Sequence, residues 1–348
     1  MSKTYIFGHK SPDTDSITSS LVMADLESKL GNDVVACRLG SLNKETEYVL
    51  NYFDIEAPEL IEKVEDGAEV ILVDHNSPSE SVDNIENAKI LKLVDHHKIA
   101  FETSYPLFIR TEPVGCTETV LLKLYKENGF TPDKTIASLM LSAIISDTLL
   151  LKSPTTTEDD KEAVKELAEI AEIDYESYGL EMLKAGTDLS SFSIPEILSL
   201  DAKQIDFKDV KSIVNQVNTA DIADVMQMKG DLEAGMEKII EDEDLDLFML
   251  LITDIVNSNS QVIALGKDAS LVEKAYGVTL KDNTVLLPKE FLNPFNNNTG
   301  VMNKTDKTHS IHWYSMSWLS PARKIKSKIT RPLHRIFGES FFEKIKGK

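Results

Sequence analysis

The chain has 348 residues, enough for two domains with cores of their own, and its 42% hydrophobic and 27% charged content is ordinary for a globular enzyme. Its longest apolar runs, such as Leu247-Phe248-Met249-Leu250-Leu251-Ile252, are too short to span a bilayer. The formal charge of -21 is uneven: residues 289–348 hold 12 Lys and Arg against 4 Asp and Glu, a local +8 that leaves -29 on residues 1–288, and so acidic a body argues against a broad nucleic-acid face. In chain order, Tyr5-Ile6-Phe7-Gly8-His9 predicts a short buried strand ending in a polar turn. Residues 16–30 carry Ile17, Leu21, Met23, Leu26 and Leu30 at helical spacing, and Gly31 stops them. A strand is expected over 33–38, a short helix over 46–53, strands over 70–73 and 90–94, and helices over 116–127 and 136–145. Alternating strands and helices predict an α/β domain with a mostly parallel sheet.

The polar stretch Ser153-Pro154-Thr155-Thr156-Thr157 breaks this pattern, and an acidic helix follows from about 158 to 170. A linker is expected near 185–195, around Gly186 and Pro195. A smaller α/β unit then runs to about Leu287, with strands near 210–214, 247–253 and 261–265. The charge reversal near Pro288 marks a further boundary. The expected organisation is therefore 1–186, 196–288 and an atypical basic tail, 289–348. Cys37 and Cys116 are the only cysteines, too few for a four-cysteine zinc site, and they fit a reducing compartment. Met1-Ser2-Lys3-Thr4 leads straight into a strand, so no signal peptide and a cytoplasmic location are expected.

Three predicted strand ends carry chemistry: Gly8-His9-Lys10-Ser11-Pro12-Asp13-Thr14-Asp15, Val73-Asp74-His75-Asn76 and Val94-Asp95-His96-His97. In an open parallel sheet, ligands gather at the carboxyl ends of the strands, so loops far apart in sequence can converge. Asp147 closes a strongly apolar helix, where the dipole repels an anion and a metal is a reasonable counter-charge. Singly, each piece has a plainer reading, such as Asp13 and Asp15 as turn residues beside Pro12. Together, His9, Asp13, Asp15, Asp74, His96 and Asp147 suffice for two metals if two carboxylates bridge. Imidazole mixed with carboxylate suits Mn²⁺, Co²⁺, Fe²⁺ or Zn²⁺. Two such ions make a water nucleophilic and clamp phosphoryl oxygens, the apparatus for hydrolysing a phosphoanhydride.

With these motifs, and with Pro113-Val114-Gly115-Cys116-Thr117, Ser146-Asp147-Thr148, Leu200-Asp201-Ala202-Lys203 and Gln216-Val217-Asn218-Thr219, the chain resembles the family II, manganese-dependent inorganic pyrophosphatases of the DHH phosphoesterase superfamily over about residues 3–288. The resemblance implies a DHH catalytic domain and a smaller domain that closes over pyrophosphate. It implies that His9 and Asp13 hold one Mn²⁺, that Asp15 and His96 hold the other, and that Asp74 and Asp147 bridge both. A metal-bridging hydroxide would be the nucleophile. His97 would donate a hydrogen bond or proton to the phosphates, and Lys203 would grip the phosphate that leaves. Co²⁺ could replace Mn²⁺, Mg²⁺ would arrive with the substrate, and a homodimer would form through the N-terminal domain. On the residues alone, Lys203 reads as a surface lysine in a helix-like stretch, and Cys116 as a small packed residue.

The resemblance also implies a final strand with a Ser-Arg-Lys-Lys-Gln motif after Asn283-Thr284-Val285-Leu286-Leu287. Here Pro288-Lys289-Glu290-Phe291 stands instead, and Arg323-Lys324 lies in a different setting. Residues 293–348, with His309-Ser310-Ile311-His312-Trp313-Tyr314, are similar to the C-terminus of a DXD-type bacterial glycosyltransferase. Loss of a cationic clamp on a departing phosphate implies reduced turnover. The competing readings are another DHH-type phosphoesterase acting on nucleotides or oligonucleotides, and a non-catalytic metal-binding remnant.

Overall fold

Strand β1 (Thr4–Phe7) sits between two parallel neighbours, which is why almost all of it is apolar and buried. The computed structural model describes residues 3–205, 209–257, 259–276, 279–287, 295–296 and 301–302. The chain divides after Gly186 into two units. In the first, β1 leads to α1 (Thr14–Lys29), β2 (Val34–Arg38), α2 (Lys44–Tyr52), β3 (Glu59–Leu60), β4 (Glu69–Val73), β5 (Lys89–Asp95) and β6 (Phe108–Thr111). Helices α3 (Thr117–Glu127), α4 (Lys134–Thr148), α5 (Glu158–Ala171) and α6 (Tyr175–Gly186) complete it. Helix α1 starts two residues earlier than its apolar spacing predicts, because the Asp13 side chain caps it by accepting from Ser16 N.

The six strands form one sheet in the order β3-β2-β1-β4-β5-β6, and every pairing is parallel. The predicted parallel sheet is present, with two more strands, β3 and β6, at its edges. The chain runs outward from β1 to β3 and then returns to the other side of β1 as β4. That reversal leaves a crevice at the carboxyl ends of β1 and β4, where open sheets of this kind bind ligands. One face of the sheet buries Phe7, Cys37, Val70, Leu72 and Leu93. Helix α1 lines up small buried side chains, Ser16, Thr18, Ser19 and Ser20, and packs against β1 and β4 as well as α3 and α4.

The second unit holds α7 (Ile194–Ile197), β7 (Lys203–Gln204), β8 (Ser212–Thr219), α8 (Ile222–Met226), α9 (Lys229–Glu243), β9 (Leu247–Asp254), β10 (Asn259–Leu265), α10 (Ser270–Tyr276) and β11 (Thr284–Leu287). Its sheet, β11-β10-β9-β8-β7, is mixed, and β8–β9 is its parallel pair. Alternate residues of β9, Phe248, Leu250 and Ile252, point to one face and pack with Leu232 and Met236 of α9. The helix-like reading of Lys203 is corrected: it lies on β7, opposite Val214 of β8, because sheet pairing overrides local propensity in so short a segment. In the predicted basic tail, β12 (Phe295–Asn296) and β13 (Val301–Met302) pair as an antiparallel ribbon. The rest of the tail, with Arg323, Lys324 and the glycosyltransferase-like stretch, lies outside the described residues. No helix among the described residues is long and apolar enough to cross a membrane.

Candidate metal centre

The turn after β1 depends on a missing side chain. A Cβ on Gly8 would fall 2.0 Å from Ser16 Oγ and 2.7 Å from Ser16 O, so a larger residue would push the strand end off α1. The chain can therefore swing back over the N-terminus of α1 and place His9 beside Asp13. His9 Nε2 lies 3.5 Å from Asp13 Oδ2 and 3.3 Å from Asp74 Oδ2. Asp13 uses its other oxygen for the cap on Ser16 N. Asp15, in the first turn of α1, is fully buried and accepts from Ser19 Oγ at 2.8 Å and Thr117 N at 2.8 Å.

Asp74 follows β4 in the left-handed region (φ 57°), a conformation that Asp tolerates better than bulky residues do. Its Oδ1 accepts from Thr117 Oγ1 at 3.0 Å and lies 3.4 Å from His96 Nε2. Its buried Oδ2 has no hydrogen-bond partner. His96 Nε2 also lies 3.9 Å from Asp15 Oδ2 and 3.9 Å from Asp147 Oδ2. Asp147 comes from the last turn of α4, and just beyond it Leu149, Leu150 and Leu151 all take positive φ (48°, 53° and 63°). Successive left-handed leucines are costly, about 1–3 kcal/mol each. Local bonds hold them, Leu150 N to Ile145 O and Ser153 N to Thr148 O, and Gly179 on α6 leaves room for the Leu150 side chain.

The six predicted ligands thus come together. His9, Asp13 and Asp74 form one group with ligand atoms within 4.8 Å of one another, and Asp15, His96 and Asp147 form a second; Asp74, His96 and His97 form a third. Charges crowd here. Burial, and after it the charge of Asp74, pushes the Asp15 carboxyl up to about 7. Burial and the charges of Asp15, Asp13 and Asp74 hold Asp147 well above the carboxylate range. Burial would lower the His9 pKa, but Asp13 and Asp74 outweigh it and raise it to about 11. Burial likewise opposes charge on His96, yet Asp74 and Asp15 lift it to about 9. Asp74 is lowered, because the His9 and His96 imidazoles beside it outweigh its burial.

This donor set fits divalent metal ions. His9 Nδ1 lies 2.7 Å from Lys10 O and His96 Nδ1 lies 3.2 Å from Val114 O. A carbonyl can only accept, so Nδ1 of each ring carries a proton, and Nε2, which faces the carboxylates, is the nitrogen that would give up its proton and offer a lone pair to a metal. Divalent ions would offset the crowded acids and give the orphaned Asp74 oxygen a partner.

His97 stands at the rim, its side chain 52% exposed, with Nδ1 2.9 Å from Asp95 Oδ1; that bond raises its pKa. Asp95 has no role in the sequence prediction beyond its motif, yet it is a hub. It accepts from His96 N at 2.7 Å, His97 N at 3.0 Å and Asn76 Nδ2 at 2.5 Å. The paired strand ends Val73-Asp74-His75 and Val94-Asp95-His96 were the signal that could have exposed it. Thr117, which bonds two of the acids, was also missed as a support. Lys203 belongs to the second unit, where its Nζ lies 2.8 Å from Asp201 Oδ1 and its side chain is 68% exposed. Cys116 is fully buried as the N-cap residue of α3, a packed position as expected.

Residues 3–144 match the DHH family N-terminal domain, and residues 180–314 match the DHHA2 domain, which carries the match past Pro288 into the basic tail. The chain is 53% identical over 290 residues to a probable manganese-dependent inorganic pyrophosphatase of Oceanobacillus iheyensis, covering 83% of this chain and 94% of that one. It is 52% identical to the manganese-dependent inorganic pyrophosphatase of Bacillus subtilis, covering 82% and 94% of the two chains. A solved structure from Methanococcus jannaschii, assigned to the family II inorganic pyrophosphatases, is 39% identical and superposes with a TM-score of 0.55, over 88% of this chain and 96% of that one. With its acids and imidazoles gathered at the ends of parallel strands and these relatives matched over nearly their whole length, the chain belongs to the manganese-dependent, family II inorganic pyrophosphatases, built from a DHH and a DHHA2 domain.

Proposed function

We propose that this chain hydrolyses inorganic pyrophosphate to two phosphates with two Mn²⁺ held by His9, Asp13, Asp15, Asp74, His96 and Asp147. The observation that carries the reading is the pair of Nε2 atoms, from His9 and His96, converging on the two oxygens of Asp74 at 3.3 and 3.4 Å. On this reading His9 and Asp13 hold one ion, Asp15 and His96 the other, and Asp74 and Asp147 are shared. Such ions supply positive charge for the phosphoryl oxygens and make a water nucleophilic at neutral pH.

The remaining work falls to the chain's own side chains. His97, fixed through Nδ1 by Asp95, keeps Nε2 free to donate to a phosphate oxygen, and the raised pKa favours the proton-carrying form. Lys203, on an exposed edge strand, neutralises the phosphate that departs. Mg²⁺ enters with pyrophosphate, and Co²⁺ can replace Mn²⁺. The exposed Phe108 and Ile109 on edge strand β6 support homodimer formation through the first unit. The domains are 1–186, 196–288 and the tail 289–348, and the chain works in the cytoplasm.

Turnover is reduced, because the Arg-Lys clamp expected after Leu287 is replaced by Pro288-Lys289-Glu290. Phosphate release from pyrophosphate with Mn²⁺, measured beside the Bacillus subtilis relative, tests this. Mn²⁺-dependent release about 10-fold or more below the relative is expected. A rate equal to the relative's overturns the impairment. Faster hydrolysis of a nucleotide or short oligonucleotide than of pyrophosphate overturns the substrate.

A further inference from the structure

Asp160 lies in the first turn of α5, on a different element from every proposed ligand, and it is 0% exposed. A buried carboxylate is costly unless its oxygens are satisfied, and here four donors satisfy them. Thr157 N and Thr157 Oγ1 both donate to Oδ2 at 2.7 Å, and Asp160 N donates back to Thr157 Oγ1 at 3.4 Å, which completes the reciprocal cap of α5 itself. The other two donors have nothing to do with that cap. Gly115 N lies 3.1 Å from Oδ1 and 2.9 Å from Oδ2, and Thr119 Oγ1 donates to Oδ1 at 2.7 Å. Both come from the segment that begins α3.

That segment touches half of the proposed ligands. Val114 O accepts from His96 Nδ1, Thr117 N donates to Asp15, and Thr117 Oγ1 donates to Asp74. Each of these contacts starts within two residues of Gly115. The approach of Asp160 is close enough to require glycine, since a Cβ on Gly115 would fall 2.8 Å from Asp160 Oδ2 and 2.8 Å from Thr148 Cγ2. Moving Gly115 N would therefore shift the supports of His96, Asp15 and Asp74 together.

We infer that Asp160 is a positioning residue of the metal centre, clamping the start of α3 and through it orienting His96, Asp15 and Asp74. The inference rests on the proposal that these residues hold Mn²⁺. Partners outside the ligand shell set ring orientation and basicity, and their loss costs about 10–100-fold in metal affinity. Asp160→Asn keeps the shape but turns an amide donor toward Gly115 N or Thr119 Oγ1. Thr119→Val removes one donor at nearly constant volume. Tyr125→Phe is the structural control: it deletes a buried hydroxyl bonded to Val22 O and Asp25 Oδ2, away from the α3 start.

The experiment is a Mn²⁺ titration of the full chain followed by electron paramagnetic resonance, with thermal unfolding of the metal-free proteins alongside. Asp160→Asn is expected to weaken Mn²⁺ binding about 10–100-fold and to alter the bound-ion spectrum. Thr119→Val should weaken binding about 5-fold. Tyr125→Phe should lower the unfolding temperature with binding and spectrum unchanged. If Asp160→Asn does not fold, Thr119→Val decides alone. Wild-type affinity and spectrum in the folded Asp160→Asn or, failing that, in Thr119→Val overturn the inference. No Mn²⁺ binding by the wild-type chain overturns the parent reading, and the inference with it.

Discussion

The two units of this chain handle charge in opposite ways. The first gathers acids and imidazoles at the carboxyl ends of parallel strands and ties most of them down with a second bond: Asp15 to Ser19 and Thr117, Asp74 to Thr117, His9 to Lys10 O, His96 to Val114 O. The second places Lys203 on a two-residue edge strand, mostly in solvent, beside Asp201. Crowded, desolvated charges must be scaffolded, because an unsatisfied one is costly. A surface lysine needs reach more than support, since its flexible stem carries a compact charge. The proposed metal centre is therefore preorganised, and the Lys203 side chain is not.

The largest test of this contrast is Asp74→Asn. It removes the carboxylate that both imidazoles face, and kcat/KM for pyrophosphate should fall about 1000-fold or more, roughly 4 kcal/mol. Mn²⁺ binding should fall with it. Lys203→Met should lower kcat about 100-fold with Mn²⁺ affinity untouched, and a joint loss of both would erase the division of labour. Removing metal is the third. At free Mn²⁺ about 100 times Kd, bound metal stabilises by about 2.7 kcal/mol, so a chelator should speed hydrogen exchange in β1, β4 and β5 and leave β8 to β10 unchanged. Asn215→Ala removes a buried amide that donates to Ile197 O at 3.0 Å and accepts from Asp201 N at 3.4 Å, leaving Ile197 O only the 3.4 Å bond from Leu200 N, and should destabilise the second unit by about 1–2 kcal/mol, read as a lower denaturant midpoint with wild-type Mn²⁺ affinity. The smallest effect has the opposite sign. Asp147→Asn relieves acid crowding and should stabilise the metal-free chain by about 0.5–2 kcal/mol while abolishing turnover.

The cluster of six acids and imidazoles was legible because its residues end apolar runs, and strand ends are what the sequence marks best. The left-handed turn at Leu149, Leu150 and Leu151 was not, since leucine locally favours helix and the short-range backbone bonds that hold the turn, Leu150 N to Ile145 O and Ser153 N to Thr148 O, leave no mark in residue type. Strand β6 escaped because Phe108-Ile109-Arg110-Thr111 is short and lies at an edge, without alternation to betray it. Strand β8 runs on to Thr219 through Asn215, Gln216 and Asn218, whose polarity hid its second half. Helix α9 was missed although Leu232, Met236, Ile239 and Ile240 have helical spacing. Asp160 follows Glu158 and Asp159 in one acidic run; Thr157, three residues before it, marks it as a cap partner, but its burial depends on Gly115, 45 residues earlier.

Anomalous diffraction at the manganese edge, from crystals of the full chain grown with Mn²⁺, addresses the central claim most directly. Two peaks roughly 3.5–4 Å apart are predicted, one beside His9 and Asp13 and one beside Asp15 and His96, with Asp74 and Asp147 reaching both. A single peak, or manganese bound away from these six side chains, would contradict the account.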